Sequence, residues 1–113
     1  MPILQRTHGD SRSSEQIAMF LRNVGQGPLF NLSIKPTKGF IVGQQADKDG
    51  QTVYVINAYK NQIEWEGDNT AVVTYSYQDM YSRKFTAKHK IYNTPEKGFD
   101  FDREVTIPKK ATS

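Results

Sequence analysis

Apolar residues in this chain recur at every second position, in one short segment after another. PLFNLSIK sets Phe30, Leu32 and Ile34 on one side and Asn31, Ser33 and Lys35 on the other, the period of a half-buried strand. Pro36 stops it, because proline cannot donate to a ladder in mid-strand. GFIVG reads as a brief strand between glycines, QQADKDGQ as a polar turn, and TVYVINAYK as a β-branched strand. NQIEWEGD is expected to form a shorter strand that closes on Gly67 and Asp68. In TAVVTYSYQDMYSRKFTAKHKIY, Val73, Tyr75 and Tyr77 alternate up to a polar turn, and Phe85, Ala87, His89 and Ile91 alternate after it, which predicts a hairpin. FDFDREVTI is the last predicted strand, with Phe99, Phe101, Val105 and Ile107 on one face.

One segment fits two periods. In SSEQIAMFLRNVG, Ser13 and Gln16 are spaced as a helix capping box, and Ile17, Phe20, Leu21 and Val24 follow helical spacing up to Gly25. Ile17, Met19 and Leu21 also alternate, and every other segment is a strand, so residues 16–24 are expected to be a strand. Strands at this regular spacing predict an all-β fold, an antiparallel two-sheet immunoglobulin-like sandwich of about seven strands. THGDSRSSEQ and PKKATS hold little that can pack. Residues 1–15 and 109–113 are therefore expected to be flexible segments around one domain spanning 16–108.

Charge adds little specificity. The net charge is +3, but Arg6, Arg12, Lys109 and Lys110 stand near the ends and the other bases alternate with acids. That distribution argues against the basic stripe a nucleic-acid partner requires. Lys84, Lys88 and Lys90 share one strand face, as do Asp100, Asp102 and Glu104, so the two stripes are expected to pair across a ladder. The chain has no cysteine, which removes disulfides and thiolate metal sites. It has no apolar run of about 18 residues and no signal-peptide core. It is expected to be soluble as it stands, meeting a membrane only through segments outside it.

Two turns carry a resemblance. Leu21, Asn23, Gly25, Gly27, Pro28, Leu29, Asn31 and Leu32 form a pattern that resembles the first hairpin of bacterial immunoglobulin-like sandwiches. These include cell-adhesion-related modules and soluble domains that follow membrane spans in small bacterial proteins. Tyr77, Asp79, Arg83 and Phe85 are similar to a second turn of the same domains. Leu29 stands where they have a small alanine. Ser82 stands where they have glycine, so a positive φ is not expected there. The resemblance implies a noncatalytic interaction or scaffold domain, the extramembrane part of a bacterial membrane-associated protein, on either side of the membrane. It brings no catalytic residues.

The remaining candidates for chemistry are thin. NVGQGP lacks the following helix and the Gly-Lys-Ser/Thr of a phosphate loop. Asn23, Gly25, Gly27 and Pro28 are read as a structural turn: the asparagine bonds back to the backbone, the glycines permit positive φ, and the proline sets where the next strand begins. Asp79 belongs to the second such turn. ADKDGQ places Asp47, Asp49 and Gly50 as in a calcium loop, but Gln45 and Ile56 stand where its first and last ligands belong. His8 and His89 have no converging partners, and His89 is expected at the edge of the core. No catalytic residue, metal ligand or cofactor site is assigned. Among the aromatics Tyr54, Tyr59, Trp65, Tyr75, Tyr77, Tyr81 and Tyr92, most are expected to pack, with Trp65 and Tyr81 the candidates for ligand contact. The expected partner is another protein, with a carbohydrate as the alternative and single-stranded nucleic acid as a second alternative.

Overall fold

The computed structural model describes residues 2–6, 11–46, 49–102 and 109–110, with backbone alone at 11–12 and 109–110. Its strands are β1 (Leu4–Arg6), β2 (Ser11–Arg12), β3 (Gln16–Asn23), β4 (Phe30–Lys35), β5 (Phe40–Ala46), β6 (Thr52–Tyr59), β7 (Thr70–Gln78), β8 (Lys84–Thr94), β9 (Gly98–Phe101) and β10 (Lys109–Lys110). No helix occurs among the described residues. One antiparallel sheet runs β1–β3–β6–β5, with β2 on the same edge of β3 as β1; the other runs β10–β8–β7–β4, with β9 also on β8. Counting the paired pieces at each edge as one gives a sandwich of about eight strands, four to a sheet. Apart from the added β9/β10 edge, this is the strand arrangement of an immunoglobulin constant-type sandwich.

The two-residue period explains the packing. Ile17, Met19 and Leu21 of β3 pair with Ala58, Ile56 and Tyr54 of β6 and point between the sheets. Val73, Tyr75 and Tyr77 of β7 pair with His89, Ala87 and Phe85 of β8 and meet them from the other side. Each fully buried large apolar side chain stabilises the fold by roughly 1.5–3 kcal/mol. Residues 16–23 form a strand because β1/β2 on one side and β6 on the other satisfy their backbone groups.

The ends of the chain depart from expectation. Residues 4–6 are an edge strand on β3, and Leu4 and Pro2 are among the most buried residues. This short apolar start suffices here, because Leu4 enters the core directly beside β3. Lys109 and Lys110 pair with Thr86 and Phe85, so this part of the expected tail also joins a sheet. Val105 and Ile107 lie outside the described residues, as do His8, Asp47 and Glu104.

NQIEWEGD is a loop, in spite of its alternating Ile63 and Trp65. Its backbone bonds to the end of β6 and the start of β7, through Gln62 N–H to Tyr59 O, Asn69 N–H to Glu66 O and Glu66 N–H to Thr70 O, and it pairs in no ladder among the described residues. Ile63 still enters the core, so close over Gly39 that a Cβ there would come 2.8 Å from its Cγ1. Gly39 also has φ 86°, so both space and backbone require glycine.

The charge stripes differ as well. β8 and β9 do pair, with Tyr92 opposite Asp100 and the Asp102 N–H donating to Lys90 O. Asp100 is buried rather than solvated, and its carboxylate lies 3.7 Å from the Arg6 guanidinium, which also donates to the Asp102 carbonyl at 2.9 Å. The reason is β1, which brings Arg6 across from the opposite sheet. Leu4→Ala is expected to lower the unfolding free energy by about 2–4 kcal/mol in urea titration. A loss below about 0.5 kcal/mol would show that β1 does not pack.

Candidate functional site

The turn between β3 and β4 is organised by one side chain. Asn23 Oδ1 accepts from Gly25 N–H at 3.1 Å, an Asx-type turn, and from Ile3 N–H at 3.2 Å. Its Nδ2 donates across the turn to Gly27 O at 2.9 Å. Of the two glycines, Gly27 is the one that takes positive φ, at 86°. Pro28 follows and β4 begins at Phe30, leaving Val24 exposed on the turn.

The turn between β7 and β8 is organised by Asp79, whose side chain is almost wholly buried. Its Oδ1 accepts from Tyr81 N–H and Arg83 N–H, each at 2.9 Å, and its Oδ2 meets Arg83 Nε at 2.6 Å. Burial pushes the Asp79 carboxyl up, but the bonds from Arg83 and Tyr81 outweigh it and hold the group below the usual carboxylate range. Ser82 takes φ 63°, contrary to the expectation for a non-glycine residue. The Asp79 cage explains this: with both Tyr81 and Arg83 amides drawn to one carboxylate, and Ser82 N–H bonded to Asp79 O at 3.1 Å, the backbone must reverse at Ser82. Tyr81 stands out at 72% exposed beside Met80 at 59%, with the Arg83 guanidinium 5.2 Å from the Tyr81 ring centre.

These two turns lie at the same end of the sandwich. Phe30 at the start of β4 pairs with Gln78 at the end of β7, and Asn31 Nδ2 donates to Gln78 Oε1 at 3.2 Å. The N-terminal segment binds the first turn and the end of the strand that leads into the second: Val24 N–H donates to Ile3 O at 2.8 Å, and the Tyr77 hydroxyl of β7 donates to Pro2 O at 2.8 Å. Val24, Phe30, Met80 and Tyr81, all large and apolar, are thus exposed at one end. The sequence marked Asn23, Gly25, Gly27, Pro28, Asp79 and Tyr81 without placing them together; the pairing of β4 with β7 does that. It overlooked Met80 and Val24, whose signal was apolar side chains at or beside turn positions, and it set Phe30 on the face of the buried Ile34, whereas the register shift between Phe30 and Ser33 leaves Phe30 exposed.

Trp65 belongs elsewhere. Its loop precedes β7 whereas Tyr81 follows it, so the two are separated by a nine-residue strand, about 30 Å at ~3.4 Å per residue. Its Nε1–H donates to Lys60 O at 3.1 Å and its ring meets Phe99 edge-on, centres 6.0 Å apart. Much of the indole is therefore already engaged within the fold.

A second polar cluster lies in the core. His89 is stacked on Tyr75 with ring centres 5.6 Å apart, its Nε2 is 3.4 Å from the Tyr75 hydroxyl, and its buried Nδ1 finds no hydrogen-bond partner among the described residues. Burial, together with the nearby Arg6 charge, lowers its pKa to about 4, while Asp102 pulls the other way. Burial likewise raises the Tyr75 hydroxyl, so both rings are neutral near pH 7. No group of three or more His, Cys, Asp or Glu able to hold a metal occurs among the described residues.

Ser82→Gly is expected to raise stability by about 0.5–1 kcal/mol by relieving the positive φ, with the unfolded chain's extra freedom subtracted. Thermal or urea unfolding checks this, and a destabilised variant would contradict the strained turn. Because folding lowers the His89 pKa from 6.5 to about 4, its neutral form supports the fold fully above pH ~6.5. That support, roughly 2–3 kcal/mol, is lost as the pH falls from ~6.5 toward 4. His89→Phe, which keeps the stacking, is expected to flatten the stability profile in that window; an unchanged slope would assign it to other groups. No protein-family model matches the chain, and neither a curated protein nor a solved structure does.

Proposed function

We propose that this domain is a noncatalytic interaction module that binds another protein through the end of the sandwich carrying the β3–β4 and β7–β8 turns. The observation that carries this reading is the exposed Met80–Tyr81 pair on a turn locked by a buried carboxylate. Tyrosine, methionine and arginine are enriched at the cores of protein interfaces. Ordering a loop on binding costs affinity, and a turn already fixed by several hydrogen bonds avoids much of that cost. Sandwiches commonly present binding loops at one end of a rigid frame.

The likeness of the two turns to bacterial immunoglobulin-like modules supports the same reading. It extends the proposal to an extramembrane domain of a bacterial membrane-associated protein, with any anchor supplied by segments outside this chain. A sugar platform built from Trp65 and Tyr81 together is disfavoured by their positions at opposite ends of β7.

The test compares capture of a partner from lysate of the source cells by the wild-type chain and by a Met80→Ala/Tyr81→Ala variant. Loss of the two anchors is expected to weaken retention at least about tenfold, with circular dichroism and melting unchanged. Equal retention by the variant would remove this end as the binding surface. Binding on a glycan array, abolished by Tyr81→Ala, would replace the protein partner with a carbohydrate.

A further inference from the structure

The four outer edges of the sandwich are not alike. The β1/β2 edge is made of pieces of 3 and 2 residues, and the β9/β10 edge of pieces of 4 and 2. The β4 edge is irregular: its register shifts between Phe30 and Ser33, Asn31 takes φ 56°, and it ends at Lys35 and Pro36. Breaks, bulges, lysine and proline are the means by which edges avoid pairing with other chains. β5 has none of these. It runs 7 residues, FIVGQQA, without a charge or a proline, in unbroken register with β6 from Phe40 to Ala46.

The phase of the ladder shows what this edge offers. Tyr59 N–H donates to Gly39 O at 2.9 Å, so Ile41, Gly43 and Gln45 also turn their backbone groups toward β6. Val42, Gln44 and Ala46 then point theirs outward, a row of donors and acceptors shaped for one more strand. Beside it, between β5 and β4, lies a depression of about 640 Å³ lined by Leu29, Phe30, Leu32, Val42, Gln44 and Tyr54. Alternate side chains of an added strand would enter this space.

We propose that the occupant is β5 of a second copy of this chain, paired antiparallel about a two-fold axis, which joins the two β1–β3–β6–β5 sheets into one. The edge calls for an uncharged, unbroken strand with apolar residues on its inward face. Among the described edge strands, β5 alone is such a strand, with Phe40 and Val42 facing inward. Pairing centred on Gly43 sets Val42 opposite Gln44 and Phe40 opposite Ala46, with the smallest residue at the axis and no like charges opposed along the strand. This inference does not rest on the Met80–Tyr81 turn, although Phe30 borders both surfaces, and a two-fold dimer would present that turn twice.

Sedimentation equilibrium of the full chain across a concentration series tests it. The expected result is a concentration-dependent rise from the 12.9 kDa of one chain to twice that mass. Gln44→Pro removes an outward N–H at an edge position and is expected to give a folded monomer by circular dichroism. Gln44→Lys, a gentler change that sets a charge toward the depression, is expected to weaken pairing at least about tenfold and serves if the proline variant fails to fold. A single species of monomer mass up to about 1 mM chain overturns the proposal, as does a dimer that Gln44→Lys leaves unchanged.

Discussion

The hydrogen bond from the buried Tyr77 hydroxyl to the Pro2 carbonyl, 2.8 Å long, joins the two sheets at the end where the candidate surface lies. Tyr77 belongs to β7 in one sheet, and Pro2 leads into β1 at the edge of the other. Burial pushes the Tyr77 phenol up to about 12, so it remains a donor across the physiological range. Broken, the bond would leave a buried hydroxyl and carbonyl unsatisfied, at about 1–3 kcal/mol each. From this anchor the backbone of Ile3 reaches the β3–β4 turn in both directions, accepting from Val24 N–H and donating to Asn23 Oδ1. Leu4 then fills the core, and Arg6 crosses to Asp100 and Asp102. Residues 2–6 thus work as a strap across the sandwich, fixed to the β3–β4 turn directly and to the β7–β8 turn through Tyr77 of β7.

That arrangement explains how a small sandwich presents exposed apolar side chains in a fixed geometry. In each turn one short polar side chain, Asn23 or Asp79, gathers the amides of its neighbours and leaves little backbone freedom. The Asp79 cage also holds Ser82 in a conformation unfavourable for serine, and the strain is offset by bonds to a buried carboxylate. Tyr81 and Met80 project from that cage, and nothing among the described residues covers them. Their exposure is a consequence of turn geometry, and the order of the turn is what gives the exposure value in binding.

The strands that carry the core were legible because period-two alternation survives in any half-buried strand. Ile17–Met19–Leu21 and Val73–Tyr75–Tyr77 announced both sheets, and the helical spacing of residues 16–24 yielded to neighbours on both sides. Leu4 was not legible, because a three-residue strand is too short to show a period and the polar residues that follow it read as a flexible end. Ile63 and Trp65 misled in the opposite sense: they alternate, yet their segment is a loop bonded to the strands it joins and sends both side chains inward. The individual turn residues were readable from local chemistry. Their convergence, the separation of Trp65 from Tyr81 and the burial of Asp100 depend on which strands pair, and pairing is a long-range property.

The central claim is that the N-terminal strap and the two turns form one ordered unit. Amide hydrogen exchange by NMR at Ile3, Gly25, Tyr81 and Arg83 tests it most directly, since each of these N–H groups donates to an Asn23 or Asp79 side-chain oxygen. All four are predicted to exchange at least about tenfold more slowly than in the unfolded chain, despite lying in or next to turns. Exchange at unfolded-chain rates at Tyr81 and Arg83 would show a mobile tip and contradict the account.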